Sequence, residues 1–320
     1  MRTLTALLLA GILMTGCKKD DPVGSSNNNT STGVFTSANV KNAPVYYSFS
    51  SKDSVASTGV WDLKLTTLYA SDDSTNSYKF PGIVLGAGVT AKIVDGQKFE
   101  NVDPSAVTGL ATDATGFITY TTRSIKSGPF YFSFDTGDTT TSTGNWDVKM
   151  TRDAFAFPII VLNRAKNVQA KVIDTTVSFE NLNQFYISGL TTDATDSTFV
   201  IGQNCFSYDT TSHLLSPYAT RVFVLKTASG NTVKFRTLNY YNSANASGFV
   251  KFEYYDKKKE NYAIGTNCLS YNGTTHILSP YTDRTFVVKN AAGVLAKFKM
   301  LTYYNEANAS GFMKLQYEVK

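Results

Sequence analysis

Residues 201–254 and 264–317 carry one pattern twice, at a constant offset of 63, with 32 of 54 positions identical and no gap. No other feature limits the fold more, because two ungapped copies must make the same strands and the same turns. Asn204-Cys205 recurs as Asn267-Cys268, Tyr208 as Tyr271, His213 as His276, Arg221 as Arg284 and Ser247-Gly248-Phe249 as Ser310-Gly311-Phe312. The front of the chain is doubled too. Residues 44–66 align without a gap with 129–151, placing Trp61-Asp62 on Trp146-Asp147 and Lys64 on Lys149. With small shifts the match runs through Phe80-Pro81 and Phe157-Pro158 to Asp113-Ala114-Thr115 and Asp193-Ala194-Thr195. The order is head, head, tail, tail. Both tryptophans fall at one repeat position, which predicts a core anchor in each head.

The periodicity is that of strands. Val250, Phe252 and Tyr254 alternate with Lys251 and Glu253, and Met313, Leu315, Tyr317 and Val319 alternate with Lys314, Gln316 and Glu318. Residues 222–225, the turn formers 227–230 and residues 233–241 read as strand, turn, strand, and 286–304 repeats the arrangement around Ala292-Gly293. Tyrosine, phenylalanine, threonine and valine dominate, and no stretch shows a sustained helical period with caps. The expected class is all-β, with antiparallel sheets packed as a sandwich.

The N-terminus reads as an export signal. Arg2 precedes an apolar run from Leu7 to Met14, shorter than the ~20 residues that span a bilayer, and small residues lead to Cys17. Met14-Thr15-Gly16-Cys17 resembles the bacterial lipobox, which implies cleavage before Cys17 and a lipid on its thiol. Residues 1–16 are then the signal peptide and 17–41 a Ser/Asn/Thr/Gly-rich flexible tether, leaving a soluble, lipid-held mature protein. Lysines then aspartates directly after Cys17 resemble the signal that sends some Gram-negative lipoproteins to the cell surface, which implies an outer-membrane, surface-exposed protein; plain solvation is the other reading.

Charge and motifs exclude several classes. Net charge is +5, and removing residues 1–16 would delete only Arg2; the lysines are scattered, so nucleic acid is not an expected partner. The run Lys257-Lys258-Lys259 reads as a solvated linker between the tails. Cys205 and Cys268 occupy one slot in the two copies; separate buried thiols are favoured over a disulfide, and no metal-site spacing occurs. There is no Gly-x-Ser-x-Gly elbow, phosphate loop or His-Glu-x-x-His, so no enzyme is expected. Asp62 and Asp147 lack a recurring partner carboxylate and read as strand-edge or turn residues, while Met150 reads as core filler.

Heads with Tyr131-Phe132-Ser133-Phe134 then Trp146-Asp147, followed by tails with 221–230 and 247–254, resemble the HmuY family of haem-binding outer-membrane lipoproteins. The resemblance covers nearly all of residues 44–320 and implies an all-β fold, haem capture and delivery to an outer-membrane receptor. Family members hold iron between two histidines or methionines, one ligand between head and tail and one just before the Arg-Val-Phe strand. Here the second slot reads Phe206-Ser207-Tyr208 and Leu269-Ser270-Tyr271, and residues 195–203 contain no His, Met or Cys. Tyr208 and Tyr271 therefore land nearest a ligand slot, and tyrosine can ligate haem iron. His213 and His276 are further haem-binding candidates, as a clasp if the copies face each other; a repeated turn hydrogen bond is the sounder role.

Head-head-tail-tail is expected to arise by nesting, with residues 129–255 forming an inner domain inside an outer one made from 42–128 and 256–320. An interleaved arrangement stays open. Two functions also stay open: non-catalytic capture of haem or a related tetrapyrrole, or a non-catalytic adhesin or accessory lipoprotein binding a glycan or protein. Tyr69, Tyr78 and Tyr186 would serve either by stacking.

Overall fold

The computed structural model describes residues 30–70 and 76–320. The signal peptide, Cys17 and most of the expected tether lie outside the described residues. Those described are built of antiparallel strands joined by turns and short 3-10 turns. No described helix is long and apolar enough to cross a membrane.

Four larger sheets carry the fold. The first has the order β1 (Ser31–Asn39), β22 (Ser310–Val319), β21 (Leu295–Tyr304), β20 (Arg284–Lys289), β6 (Thr90–Asp95). The second has β3 (Asp53–Val55), β2 (Val45–Ser48), β4 (Leu63–Tyr69), β5 (Lys79–Leu85). The third has β12 (Gln169–Asp174), β15 (Arg221–Lys226), β16 (Thr232–Tyr241), β17 (Ser247–Asn261), β7 (Ala114–Thr121). The fourth has β11 (Pro158–Leu162), β10 (Val148–Arg152), β8 (Phe130–Ser133), β9 (Asp138–Thr140). Two hairpins, β13 (Ser207–Tyr208) with β14 (Leu215–Ser216) and β18 (Ser270–Asn272) with β19 (Ile277–Ser279), complete the set.

The first two sheets share one core and the last two another. Strand alternation turns Leu63, Leu65, Ile83, Phe298 and Leu315 into the first, and Phe49 meets Phe298 across it at 6.1 Å. Val148, Met150, Ile160, Phe235 and Phe252 fill the second, where Phe132 meets Phe252 at 5.1 Å. Each fully buried Phe contributes about 1.5–3 kcal/mol by leaving water. The first core draws on residues 35–93 and 263–319, the second on 118–172 and 200–254. The repeated Ser-Gly-Phe has a backbone cause. Gly248 and Gly311 sit at φ 106° and 115°, and a Cβ on Gly311 would lie 2.2 Å from Asn39 Oδ1.

Four expectations change. Residues 31–39, expected as tether, form β1 on the edge of β22, with Phe35 packed on Tyr47 at 4.6 Å; the polar composition hides a period-two strand that an open sheet edge can pair. Residues 114–121, expected in the outer domain, form β7 on the edge of β17 in the third sheet. The tryptophans are only half-buried, edge-on to Tyr46 and Tyr131, whereas Asp62 and Asp147 beside them are 2% and 0% exposed. Lys257 is no linker residue: it lies in β17, its side chain 14% exposed and bonded to Glu260.

Two repeat-related carboxylates, buried Asp193 and half-buried Asp113, make the same bonds over very different lengths of chain. Asp193 accepts from Leu162 N at 2.8 Å and from Val200 N at 2.8 Å, seven residues on. Asp113 accepts from Leu85 N at 2.7 Å and from Ala263 N at 2.8 Å, 150 residues on. The same hydrogen bond thus closes a span of 7 residues in one place and of 150 in the other.

Candidate functional site

The outward face of the fourth sheet carries a groove of about 990 Å³. Val148, Met150, Ile160 and Leu162 point into the core, so alternation sends Lys149, Thr151 and Val161 the other way. The loop 196–199 forms one wall, ending in Phe199, and the turn 153–155 supplies Phe155, which is 82% exposed. The end of the groove is Gly202, stitched to Ile160 by paired backbone bonds of 3.1 and 3.0 Å. Ile159, Val161, Phe155 and Phe199 make an apolar lining, with Lys149 and Arg152 as cations and Asp153 and Asp196 as anions. The volume suits a drug-sized or cofactor-sized ligand.

A recess of about 310 Å³ adjoins it, sharing Gln203 and Asn204 and lined by Phe157, Phe206 and Tyr208. Tyr208 lies edge-on to Phe157 at 5.1 Å and is 41% exposed. Its hydroxyl hydrogen-bonds His213 Nδ1 at 2.6 Å. Asp209 shapes this hairpin by accepting from Thr211 N and Ser212 N, and His213 takes a left-handed φ of 57°, which folds the imidazole back onto the phenol. In the other hairpin Asn272 replaces Asp209, His276 again has φ 57°, and Tyr271 meets His276 Nδ1 at 2.5 Å. Each histidine is thus engaged by the tyrosine of its own hairpin.

Other repeated residues are structural. Arg221 grips Asp174 with two bonds of 2.8 and 2.7 Å while stacked on Tyr218 at 3.7 Å, and Arg284 treats Asp95 and Tyr281 alike. These guanidinium bonds hold both carboxyls below the usual carboxylate range. Cys205 and Cys268 are unbonded to each other and buried, donating to Pro158 O and Pro81 O. Burial pushes both thiols up to about 12, which leaves them poor nucleophiles and poor metal ligands. Among the described residues no cluster of three His, Cys, Asp or Glu side chains is placed to hold a metal ion.

Sequence reasoning missed the groove, because its lining comes from polar-face positions that look like ordinary solvated strand residues. It also missed Lys234 and Lys297, which are 2% and 3% exposed. Lys234 Nζ donates to the carbonyls of Phe179, Glu180 and Leu182, and Lys297 Nζ to those of Phe99 and Val102. The available signal was only that a lysine recurs at the 63-residue offset, on the strand face opposite Val233 and Phe235 in one copy and Ala296 and Phe298 in the other.

No protein-family model matches the chain, and no curated protein matches it significantly. Its likeness among solved structures is to HmuY-like proteins. One, described as an HmuY-like haem-binding protein of Bacteroides vulgatus, aligns over 50% of this chain and 97% of its own at 15% identity and a TM-score of 0.34. A protein described as a lipoprotein of Bacteroides fragilis aligns over 44% of this chain and 90% of its own, at 14% identity and a TM-score of 0.35. The apo HmuY analogue of Tannerella forsythia aligns over 92% and 97%, at 10% identity and a TM-score of 0.25.

Proposed function

We propose that this protein is a surface-tethered, non-catalytic lipoprotein that captures haem or a related tetrapyrrole in the groove on β10 and β11. The observation that carries this reading is the 990 Å³ groove itself, in which Phe155, Ile159, Val161 and Phe199 supply apolar surface, Lys149 and Arg152 cations and Asp153 and Asp196 anions. A porphyrin is flat and apolar with acidic side arms, and such a groove meets both properties. The family's ligand types are missing from its walls, but Tyr208 stands in the adjoining recess. A tyrosine oxygen is a donor that ferric iron accepts, and here it lies within hydrogen-bond distance of an imidazole nitrogen. Tyr208 would hold the iron with His213 beside its hydroxyl; the Tyr271–His276 hydrogen bond repeats this contact in the second hairpin without being needed for it.

Adding ferric haem to the mature chain should shift the Soret band with saturation. Tyr208→Phe should weaken binding at least about tenfold, ~1.4 kcal/mol, and remove the phenolate-to-iron charge-transfer band. A flat titration of the unmodified chain would remove the haem reading and leave the glycan- or protein-binding one.

The two cores and the Asp113 and Asp193 bonds support a nested chain, in which a domain beginning at about Ala114 interrupts an outer domain that resumes near Ala263. We further assign Cys17 as the lipid attachment site and the outer membrane surface as the location. Cys17→Ser should release the protein from the membrane fraction and abolish its labelling by fatty acid; continued membrane association would refute the anchor.

A further inference from the structure

We propose that the chain takes one ligand rather than two, because the inner half of the chain occupies the outer half's equivalent groove. This rests on the haem reading for the ligand but not for the occlusion. Lys64, Thr66 and Val84 stand at the repeat positions of Lys149, Thr151 and Val161, and Tyr262 at that of Phe199. In the inner half these positions line one groove of about 990 Å³. In the outer half the same four positions line a cavity of only about 450 Å³, and Tyr69, Glu260 and Tyr262 separate it from a second of about 250 Å³. Thr66 is 8% exposed, whereas Thr151 is half-buried.

The material between the cavities is polar, bonded and contributed by the end of β17. Lys257 Nζ donates to Ala70 O at 3.3 Å and to Glu260 Oε2 at 2.7 Å, while Tyr262 donates to Glu260 Oε1 at 3.0 Å. Lys257 and Glu260 side chains are 14% and 15% exposed. Farther in, Phe117, Leu182 and Tyr255 of the inner half face Lys64 and Thr66 across the 450 Å³ cavity. Asn183 Nδ2 donates to Asn76 O at 2.8 Å and Tyr186 to Ser77 Oγ at 2.9 Å, tying the halves together at the rim.

The cause is topological. Residues 196–199, which wall the inner groove, belong to the seven-residue loop that Asp193 closes. At the matching place in the outer half the chain makes its 150-residue excursion, so a folded domain stands where a loop would be. The Tyr271–His276 pair then belongs to the half with the smaller cavity and the Tyr208–His213 pair to the half with the larger groove, although the two hydrogen bonds differ by only 0.1 Å (2.5 and 2.6 Å).

Two measurements on the full mature chain test this. Ferric haem should saturate at one equivalent, weakened by about tenfold or more in Thr151→Trp and unchanged in Tyr271→Phe. Two equivalents, or loss in Tyr271→Phe with retention in Thr151→Trp, would overturn the inference. Independently of any ligand, maleimide should modify a Thr66→Cys variant slower than Thr151→Cys by on the order of tenfold under native conditions. Equal rates would refute the occlusion even if no haem binds, and failure of haem to bind with the expected labelling ratio would condemn the haem reading alone.

Discussion

Asp147→Ala should lower folding stability by about 2–6 kcal/mol, far more than a change at the adjacent tryptophan. The Asp147 carboxylate is 0% exposed and accepts from Phe134 N at 2.7 Å and from Ala228 N at 2.8 Å, the latter 81 residues away. It therefore ties the head strand β8 to the turn between β15 and β16. Alanine leaves the buried Phe134 N–H and the half-buried Ala228 N–H without an acceptor, at about 1–3 kcal/mol each. Asparagine keeps one acceptor oxygen and should recover roughly half of that loss. Trp146→Phe retains a half-buried ring edge-on to Tyr131 and should cost under about 1 kcal/mol. Urea unfolding midpoints of the full mature chain at constant slope give the comparison. A larger loss at Trp146 than at Asp147 would show that the ring, not the carboxylate, is the anchor.

The same residue makes a signed pH prediction. Burial pushes the Asp147 carboxyl above its ordinary range, against the pull of the Ala228 and Phe134 N–H groups. Folded protein then keeps a proton that the unfolded chain releases near about pH 3.9. The associated stability is present below that pH and is lost as pH rises through the folded value. The stability difference between wild type and Asp147→Asn should accordingly shrink from pH 4 towards neutrality. If it grew instead, the assigned direction would be wrong.

Lys234→Met should cost about 2–4 kcal/mol, because methionine replaces the stem but leaves buried carbonyls without their donor. Lys234 Nζ donates to Leu182 O at 2.7 Å and sits within 5.1–5.4 Å of the rings of Phe117, Phe179 and Tyr255. Burial pulls its pKa down to about 8. Unfolded chain, with lysine near about 10.4, binds more protons between those values, so wild-type stability should rise with pH from about 8 to 10. That rise should be absent in Lys234→Met. Thermal unfolding at pH 7.5, 8.5 and 9.5 checks both claims, and identical pH profiles would contradict the second. Lys297, the repeat counterpart, lies 3.3 Å from Glu318, where the inner half has Tyr255 instead.

Much of the strand layout was legible because alternation and turn chemistry act within a few residues. Residues 222–225, 233–241 and 250–254 fall in β15, β16 and β17, and Met150 lies at 0% exposure in the core. What misled were residues whose partners are distant. Trp146 looked like the anchor because of its size, yet the donors that bury Asp147 come from residues 134 and 228. Residues 31–39 looked like tether because their composition is polar, yet β22 offered an unpaired edge. Lys257 looked solvated because it opens a run of three lysines, yet Ala70 and Glu260 enclose its ammonium.

The sequence by itself determined an all-β chain of two heads and two tails, since a repeated period-two pattern forces repeated strands wherever its copies lie. The sizes of the two spaces, about 990 Å³ at Lys149 and Thr151 and about 450 Å³ at Lys64 and Thr66, follow from three-dimensional packing. Groove walls are made by whichever segment passes the exposed face of a sheet, and that depends on the path of the chain between residues 113 and 263 rather than on the near-identical residues that face the space.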